Sequence, residues 1–92
     1  MIKSFAHKGL EEYWRNGTKR GIKPNHARRL LDILHLLDAA TTVEDMAFPG
    51  ARLHEWVGRG KGTWSVDVSG PWRLTFRFQD GHAVDVDYVQ PH

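Results

Sequence analysis

Residues 64–88 read WSVDVSGPWRLTFRFQDGHAVDVDY, and the alternation inside that string decides the fold. Trp64, Val66 and Val68 alternate with Ser65 and Asp67. Trp72, Leu74, Phe76 and Phe78 alternate with Arg73, Thr75 and Arg77, and Val84, Val86 and Tyr88 with Asp85 and Asp87. Apolar residues at every second position mark strands that bury one face and wet the other. The string therefore predicts three antiparallel strands, with a less regular fourth over residues 52–57. Register follows from the requirement that apolar faces coincide. A two-residue turn at Asp80-Gly81 sets Phe76 opposite Asp85. A three-residue loop, Asp80-Gly81-His82, is expected instead, pairing Phe76 with Val86 and Arg77 with Asp85. A loop Ser69-Gly70-Pro71 likewise pairs Val66 with Leu74 and Asp67 with Arg73. The polar face then carries Ser65, Asp67, Arg73, Thr75, Arg77, Asp85 and Asp87.

N-terminal to the strands the period is 3.6. Residues 2–6 have the composition of a short first strand. Leu10, Tyr13 and Trp14 share one face of a short helix, and Asn16-Gly17 stops it, since both residues tolerate the left-handed backbone that ends helices. Residues 17–23 form a basic, glycine-containing loop. Pro24 suits the first turn of a second helix, where its missing N–H is not needed. Leu30, Leu31, Leu34 and Leu37, widened by Ala27 and Ile33, give that helix an apolar stripe wide enough to pack on a sheet. Thr42-Val43-Glu44-Asp45 carries a capping signal for one further turn, closed by Pro49-Gly50. The pattern as a whole is that of one domain over residues 1–92, with helices on one face of a sheet and the other face open.

Composition narrows the function. No apolar run approaches the roughly 20 residues of a membrane helix, and the first eight residues lack the apolar stretch of a signal peptide. The chain has no Cys, which excludes disulfides, thiolate metal sites and a Cys nucleophile and makes a reducing, cytoplasmic setting the expected one. The net charge of +2 conceals a strong segregation. Residues 1–29 carry eight basic side chains (Lys3, Lys8, Arg15, Lys19, Arg20, Lys23, Arg28, Arg29) against Glu11 and Glu12. Residues 30–50 carry four acids and no Lys or Arg; residues 51–78 carry Arg52, Arg59, Lys61, Arg73 and Arg77 against Glu55 and Asp67. A basic face on a nearly neutral protein is a pattern common among polyanion binders.

The six His (His7, His26, His35, His54, His82, His92) show no metal-ligand spacing, so no metal and no cofactor is expected. There is no glycine-rich phosphate loop, nucleophile elbow or helical His-Glu-x-x-His motif. Arg73, near the sheet centre, has the planar fork that suits a phosphate. Histidine beside it would supply acid–base chemistry near neutral pH. Most polar sheet faces are simply wet, and cross-strand pairs such as Arg77–Asp85 contribute roughly 0.2–1 kcal/mol without further meaning.

Several segments together resemble a known family. They are Met1-Ile2-Lys3-Ser4-Phe5, His7-Lys8-Gly9-Leu10, Leu37-Asp38-Ala39-Ala40-Thr41, Arg52-Leu53-His54, Gly62-x-Trp64-Ser65-Val66, Trp72-Arg73-Leu74-Thr75-Phe76-Arg77-Phe78 and Val86-Asp87-Tyr88, with His92 closing the chain. In this order they resemble the HigB-type toxins of bacterial toxin–antitoxin modules, within the RelE-like superfamily. The resemblance implies an α+β, RelE-like fold: an N-terminal strand and helices packed on one face of a curved antiparallel sheet of four to five strands. It implies a ribosome-dependent endoribonuclease that cleaves mRNA in the ribosomal A site. The catalytic residues carried over by position are His54, Arg73 and His92. Lys8, Lys19, Arg20, Lys23, Arg28, Arg29, Arg59, Lys61 and Arg77 are the RNA- and ribosome-facing cations. Implied partners are a cognate helix-turn-helix antitoxin of the HigA type, the ribosome and mRNA, with no membrane and a monomeric free toxin.

The sequence departs from the family pattern at three places. Val57 stands where members often carry Lys, Thr63 where they carry an aromatic, and Gln90-Pro91 where many carry Asp-Tyr. Pro91 also fixes its own backbone angle and restricts Gln90. Lys61 and Arg59 of the glycine loop are candidate substitutes for the missing Lys. The alternative reading, motivated by Val57, Thr63 and Gln90-Pro91, is a catalytically weakened or inactive toxin-fold protein that acts mainly as an antitoxin-binding, regulatory partner.

Overall fold

The structure, a computed structural model, describes residues 1–56 and 61–90. Helix α1 spans Lys8–Asn16 and helix α2 Ala27–Ala39; the strands are β1 (His54–Glu55), β2 (Trp64–Ser69), β3 (Trp72–Gln79) and β4 (His82–Val89). The sheet order is β1-β2-β3-β4, antiparallel throughout. The N-terminal run lies along β4 in parallel, bridging at Ile2–Ala83 and Phe5–Val86. Both helices lie on one side of the sheet, as the α+β expectation required. No described helix is long and apolar enough to cross a membrane.

Each helix forms for reasons visible in its residues. His7 caps α1, its Nδ1 accepting the N–H of Leu10 at 2.9 Å. Gly17 ends the helix at φ 75°, where a side chain would be strained. A short 3₁₀ turn, Pro24–His26, leads into α2, and the Tyr13 hydroxyl donates to the Ala27 carbonyl at 2.7 Å, fastening one helix to the start of the other. The turn over Val43–Met46 carries the reciprocal Thr42–Asp45 capping box. Backbone N–H groups of Thr41 and Thr42 hold the Asp45 carboxyl below its usual range. Leu30, Ile33, Leu34 and Leu37 of α2 are buried against Val66, Leu74, Phe76, Val86 and Tyr88 of the sheet.

The register corrects the loop lengths. Val66 does pair with Leu74 and Asp67 with Arg73, but the turn is the two-residue Gly70-Pro71, with Ser69 opposite Trp72. Gly70 at φ 54°, followed by proline, makes the primed turn that matches strand twist. Asp80 (φ 54°) and Gly81 (φ 78°) likewise form a two-residue turn, with Gln79 opposite His82 and Arg77 opposite Val84. The phase is restored by β-bulges, one in β2 between Asp67 and Ser69 and one in β4 opposite Phe76, where Asp85 adopts φ 53°. Ala83, opposite Phe78, therefore takes the core position expected of Val84, which turns to the open face with Arg77. The fourth strand is shorter than residues 52–57: Arg52 at φ 48° delays it to His54, and Val57 lies outside the described residues.

Leu34→Ala empties a fully buried site between α2 and the sheet. It is expected to lower stability by about 2–5 kcal/mol. Leu36→Ala, at a side chain 46% exposed, should change it by less than about 0.5 kcal/mol. Urea titrations of the two variants check the difference.

Candidate active site on the open sheet face

Pairing places His54, Ser65, Thr75 and Asp87 in one row across all four strands. Arg73 sits two residues from Thr75 on the same face. Two strand spacings and one two-residue step separate His54 from Arg73, about 12 Å between Cα atoms by ordinary sheet dimensions. A phosphate group between their long side chains fits that span.

The network around His54 sets its tautomer. Its Nδ1 is 2.7 Å from the Arg52 carbonyl, which can only accept, so Nδ1 carries the proton. Nε2 then presents its lone pair to the Ser65 hydroxyl at 3.2 Å. The ring is exposed, and Nε2 faces the sheet surface beside Ser65. With Nδ1 held by the carbonyl, Nε2 is the nitrogen placed for proton transfer.

Arg73 is held rather than free. Its side chain is 15% exposed, and Nη1 lies 3.1 Å from Asp67 Oδ1 as a charge contact outside hydrogen-bond alignment. The same nitrogen donates to the carbonyls of Gly70 at 3.0 Å and Trp72 at 3.3 Å. Asp67 Oδ2 accepts from Arg52 Nη1 at 3.3 Å, and its carbonyl accepts from Arg29 Nη2 at 3.4 Å. Three guanidinium groups thus gather at one aspartate. Sequence reasoning found the Asp67–Arg73 pair by register but missed Arg52 and Arg29, which reach residue 67 from outside the hairpin.

The remaining candidates separate. Arg77 is on the open face, its Nε 4.0 Å from Asp85 Oδ2. Lys61 is exposed just before β2. Lys8 and Arg20 line a cavity of about 410 Å³ with Gly9, Glu12, Thr18 and Gly21, on the helix layer. A Cβ on Gly9 would come within 2.9 Å of the Gly21 Cα, so the basic loop rests directly on the first turn of α1. Lys19 is exposed in that loop, Arg28 is exposed on α2 and paired with Asp32, and Arg29 lies over the Phe48 ring. Arg59 and His92 lie outside the described residues. The candidate cations from Lys8 to Arg29 therefore belong to the helices and the loop between them, while His54, Arg73 and Arg77 share the open face. Among the described residues, no group of three or more His, Asp or Glu side chains is placed to hold a metal ion.

With this geometry in place, comparison with known proteins identifies the lineage. Residues 3–92 match the family model described as RelE-like toxin of type II toxin–antitoxin system HigB. The chain belongs to the HigB toxin family. It is 36% identical over 92 residues to the Endoribonuclease HigB of Proteus vulgaris, covering all of both chains. It is 32% identical over 94 residues to Toxin HigB-1 of Vibrio cholerae serotype O1 (strain ATCC 39315 / El Tor Inaba N16961), covering all of this chain and 98% of that one. Membership in a type II toxin–antitoxin family carries with it an antitoxin partner.

A second cluster ties the basic loop to the sheet. The His26 Nδ1 is 2.6 Å from the Tyr88 hydroxyl, Trp72 stacks on Tyr88 at 4.6 Å between ring centroids, and the Lys23 ammonium lies 5.8 Å over Trp72. Burial first, and Lys23 second, hold His26 below its usual 6.5. Burial raises the Tyr88 phenol, partly countered by a backbone hydrogen bond from Lys23. Neutral His26 thus accepts from the phenol. Because the unfolded chain protonates this imidazole while the folded one resists, the folded state loses stability as pH falls below 6.5 and stops losing it below the depressed folded value. Denaturant titrations between about pH 7.5 and 5 should show this slope, and His26→Gln should flatten it.

Proposed function

We propose that this HigB-family toxin is an mRNA endoribonuclease acting in the ribosomal A site. The observation that carries the reading is His54, held through Nδ1 by the Arg52 carbonyl with its Nε2 on the open sheet face that also bears Arg73. In the proposed reaction His54 Nε2 takes the proton of a ribose 2′-OH, and that oxygen attacks the adjacent phosphorus. The P–O2′ bond forms as the P–O5′ bond breaks, and His92 protonates the departing 5′-oxygen. A 2′,3′-cyclic phosphate and a 5′-hydroxyl result. Arg73 stabilises the charge that builds on the phosphoryl oxygens. Base, acid and cation are all side chains, so the scheme uses no metal and no cofactor.

Lys8, Lys19, Arg20, Lys23, Arg28, Arg29, Arg59, Lys61 and Arg77 would face ribosomal RNA and mRNA, with binding that weakens as salt rises. The antitoxin is proposed to be a HigA-type helix-turn-helix protein, and the free toxin a cytoplasmic monomer of one domain.

One observation favours the alternative, a weakened toxin acting chiefly on its antitoxin. Arg73 has Asp67, Gly70 and Trp72 around a single nitrogen, and substrate must compete with them. Mapping of mRNA ends after induction decides between the two. His54→Ala and Arg73→Ala are each expected to lower ribosome-bound cleavage by about 10²–10⁴-fold without unfolding the domain. A folded wild-type protein that gives neither growth arrest nor cuts rejects the nuclease reading. In that case, cleavage appearing on Val57→Lys, Gln90→Asp and Pro91→Tyr together would establish the weakened toxin.

A further inference from the structure

Asp67 is anchored through its backbone and its side chain alike. Its N–H donates to the Ala51 carbonyl at 2.8 Å, its own carbonyl accepts from Arg29 Nη2 at 3.4 Å, and its Oδ2 accepts from Arg52 Nη1 at 3.3 Å. The side chain is 20% exposed, and Oδ1 is buried without a hydrogen bond of its own. A carboxylate oxygen so placed is costly unless a positive charge stands beside it. The Arg73 guanidinium, 3.1 Å away, is that charge.

The fork of Arg73 is held by one nitrogen. Nη1 donates to the carbonyls of Gly70 and Trp72, and Asp67 faces the same nitrogen. Among the described residues, Nε and Nη2 make no hydrogen bond, and neither is a buried atom left without a partner. These two nitrogens share the side edge of the guanidinium, whose parallel N–H bonds match two oxygens of a phosphate. Competition between these partners and a substrate is therefore confined to Nη1. The two carbonyls alone do not fix the fork, since water replaces a neutral acceptor at small net cost. A charged carboxylate, itself pinned by Arg52 and by its backbone contacts, pulls on the cation from one fixed direction.

We propose that Asp67 is a positioning residue for RNA cleavage: it holds Arg73 by Nη1 so that the Nε–Nη2 edge meets the scissile phosphate. The inference rests on the endoribonuclease reading above and deepens it with a residue that touches no substrate. Without the carboxylate the fork turns more freely, and fewer encounters present the side edge when charge builds on the phosphoryl oxygens. The loss then falls on the rate of the chemical step, because the remaining cations still hold the RNA. A carboxylate that only masked Arg73 would act in the opposite sense, and its removal would speed cleavage.

Single-turnover cleavage on mRNA-programmed ribosomes, over a range of toxin concentrations, reads rate and binding separately. Asp67→Asn is expected to lower the maximal rate by about 10–10²-fold, the cost of a misplaced group, with the half-saturating concentration within about twofold of wild type. On an Arg73→Ala background the same substitution should cost less than about twofold, because its effect runs through Arg73. Asp67→Ser, a smaller neutral variant, should behave alike and serves where Asn disturbs the fold. Dimethyl phosphate, a phosphodiester with no 2′-hydroxyl, tests the held fork apart from cleavage. In nitrogen NMR of the arginine side chains it should shift Nε and Nη2 of Arg73 in the wild type and lose that selectivity in the Asp67 variants. A faster or unchanged rate, an equal loss on both backgrounds, shifts at Nη1 alone, or no shift at about 0.1 M probe would each overturn the positioning role. A selective shift in a protein that never cuts RNA would keep the held fork and reject the nuclease. Cleavage indifferent to Asp67 would do the reverse.

Discussion

A strand sends alternate side chains to opposite faces, and this sheet must keep that alternation in phase across two tight turns that each leave it one residue out. Gly70-Pro71 and Asp80-Gly81 are the turns whose twist suits a hairpin, yet either one alone would carry polar residues into the core. The bulges in β2 and at Asp85 each insert one residue and bring the apolar positions back opposite one another. Everything else rests on that correction. It lets Leu74, Phe76 and Tyr88 meet the leucines of α2, and it leaves His54, Ser65, Thr75 and Arg73 together on the other side. The bulge at Asp85 also explains the path of the N-terminal run. Its two bridges to β4 are three residues apart on both chains, at Ile2 and Phe5 and at Ala83 and Val86, where a regular ladder would space them by two.

Electrostatics then divides the open face. Around Asp67 the guanidinium groups of Arg73 and Arg52 meet the side chain and Arg29 meets the backbone carbonyl, so positive charge exceeds negative at that end. Arg73 is oriented at the cost of being partly satisfied before any ligand arrives. Asp67 thus acts on two properties of Arg73 at once, fixing where the fork points and reducing its net attraction for an anion. His54 differs: a backbone carbonyl holds its Nδ1, and its Nε2 meets the uncharged Ser65 hydroxyl, so no charged neighbour has to be displaced there.

The helices, the three long strands and the open face were legible because each depends on a periodicity that residues such as Leu30, Leu34, Leu74 and Phe76 display directly. The stop at Gly17 and the cap at Thr42 were legible for the same local reason. The turn lengths were not. A bulge has no marker in residue type when its left-handed position is taken by Asp rather than Gly, so phase alone argued for longer loops. Burial of Ser65 and Thr75 was also hidden, since alternation reports which face a residue takes but not how deep that face is. His26 illustrates a further limit. Nothing near it in sequence foretells Tyr88, 62 positions away, as the partner that makes a buried imidazole tolerable. Family resemblance supplied His54 and Arg73 as a pair, but their hydrogen-bond partners follow only from the folded backbone.

The two basic regions, which the sequence separates and the sheet divides, meet at one place. Trp72 and Arg73 are neighbours on β3 with side chains on opposite faces. Lys23 of the basic loop lies over Trp72, and Arg52 and Arg29 reach Asp67, the cross-strand partner of Arg73. Positive charge therefore continues around that end of the sheet, from the helix layer to the open face. His26 and Tyr88 hold the loop there from beneath. The opposite end carries Asp80 and Asp85 with Arg77. A polyanion laid on the open face is drawn to the Arg73 end by its phosphates and repelled by the carboxylates at the other. The open face is therefore electrostatically polar along its strands, with excess positive charge at the Arg73 end and carboxylates at the other.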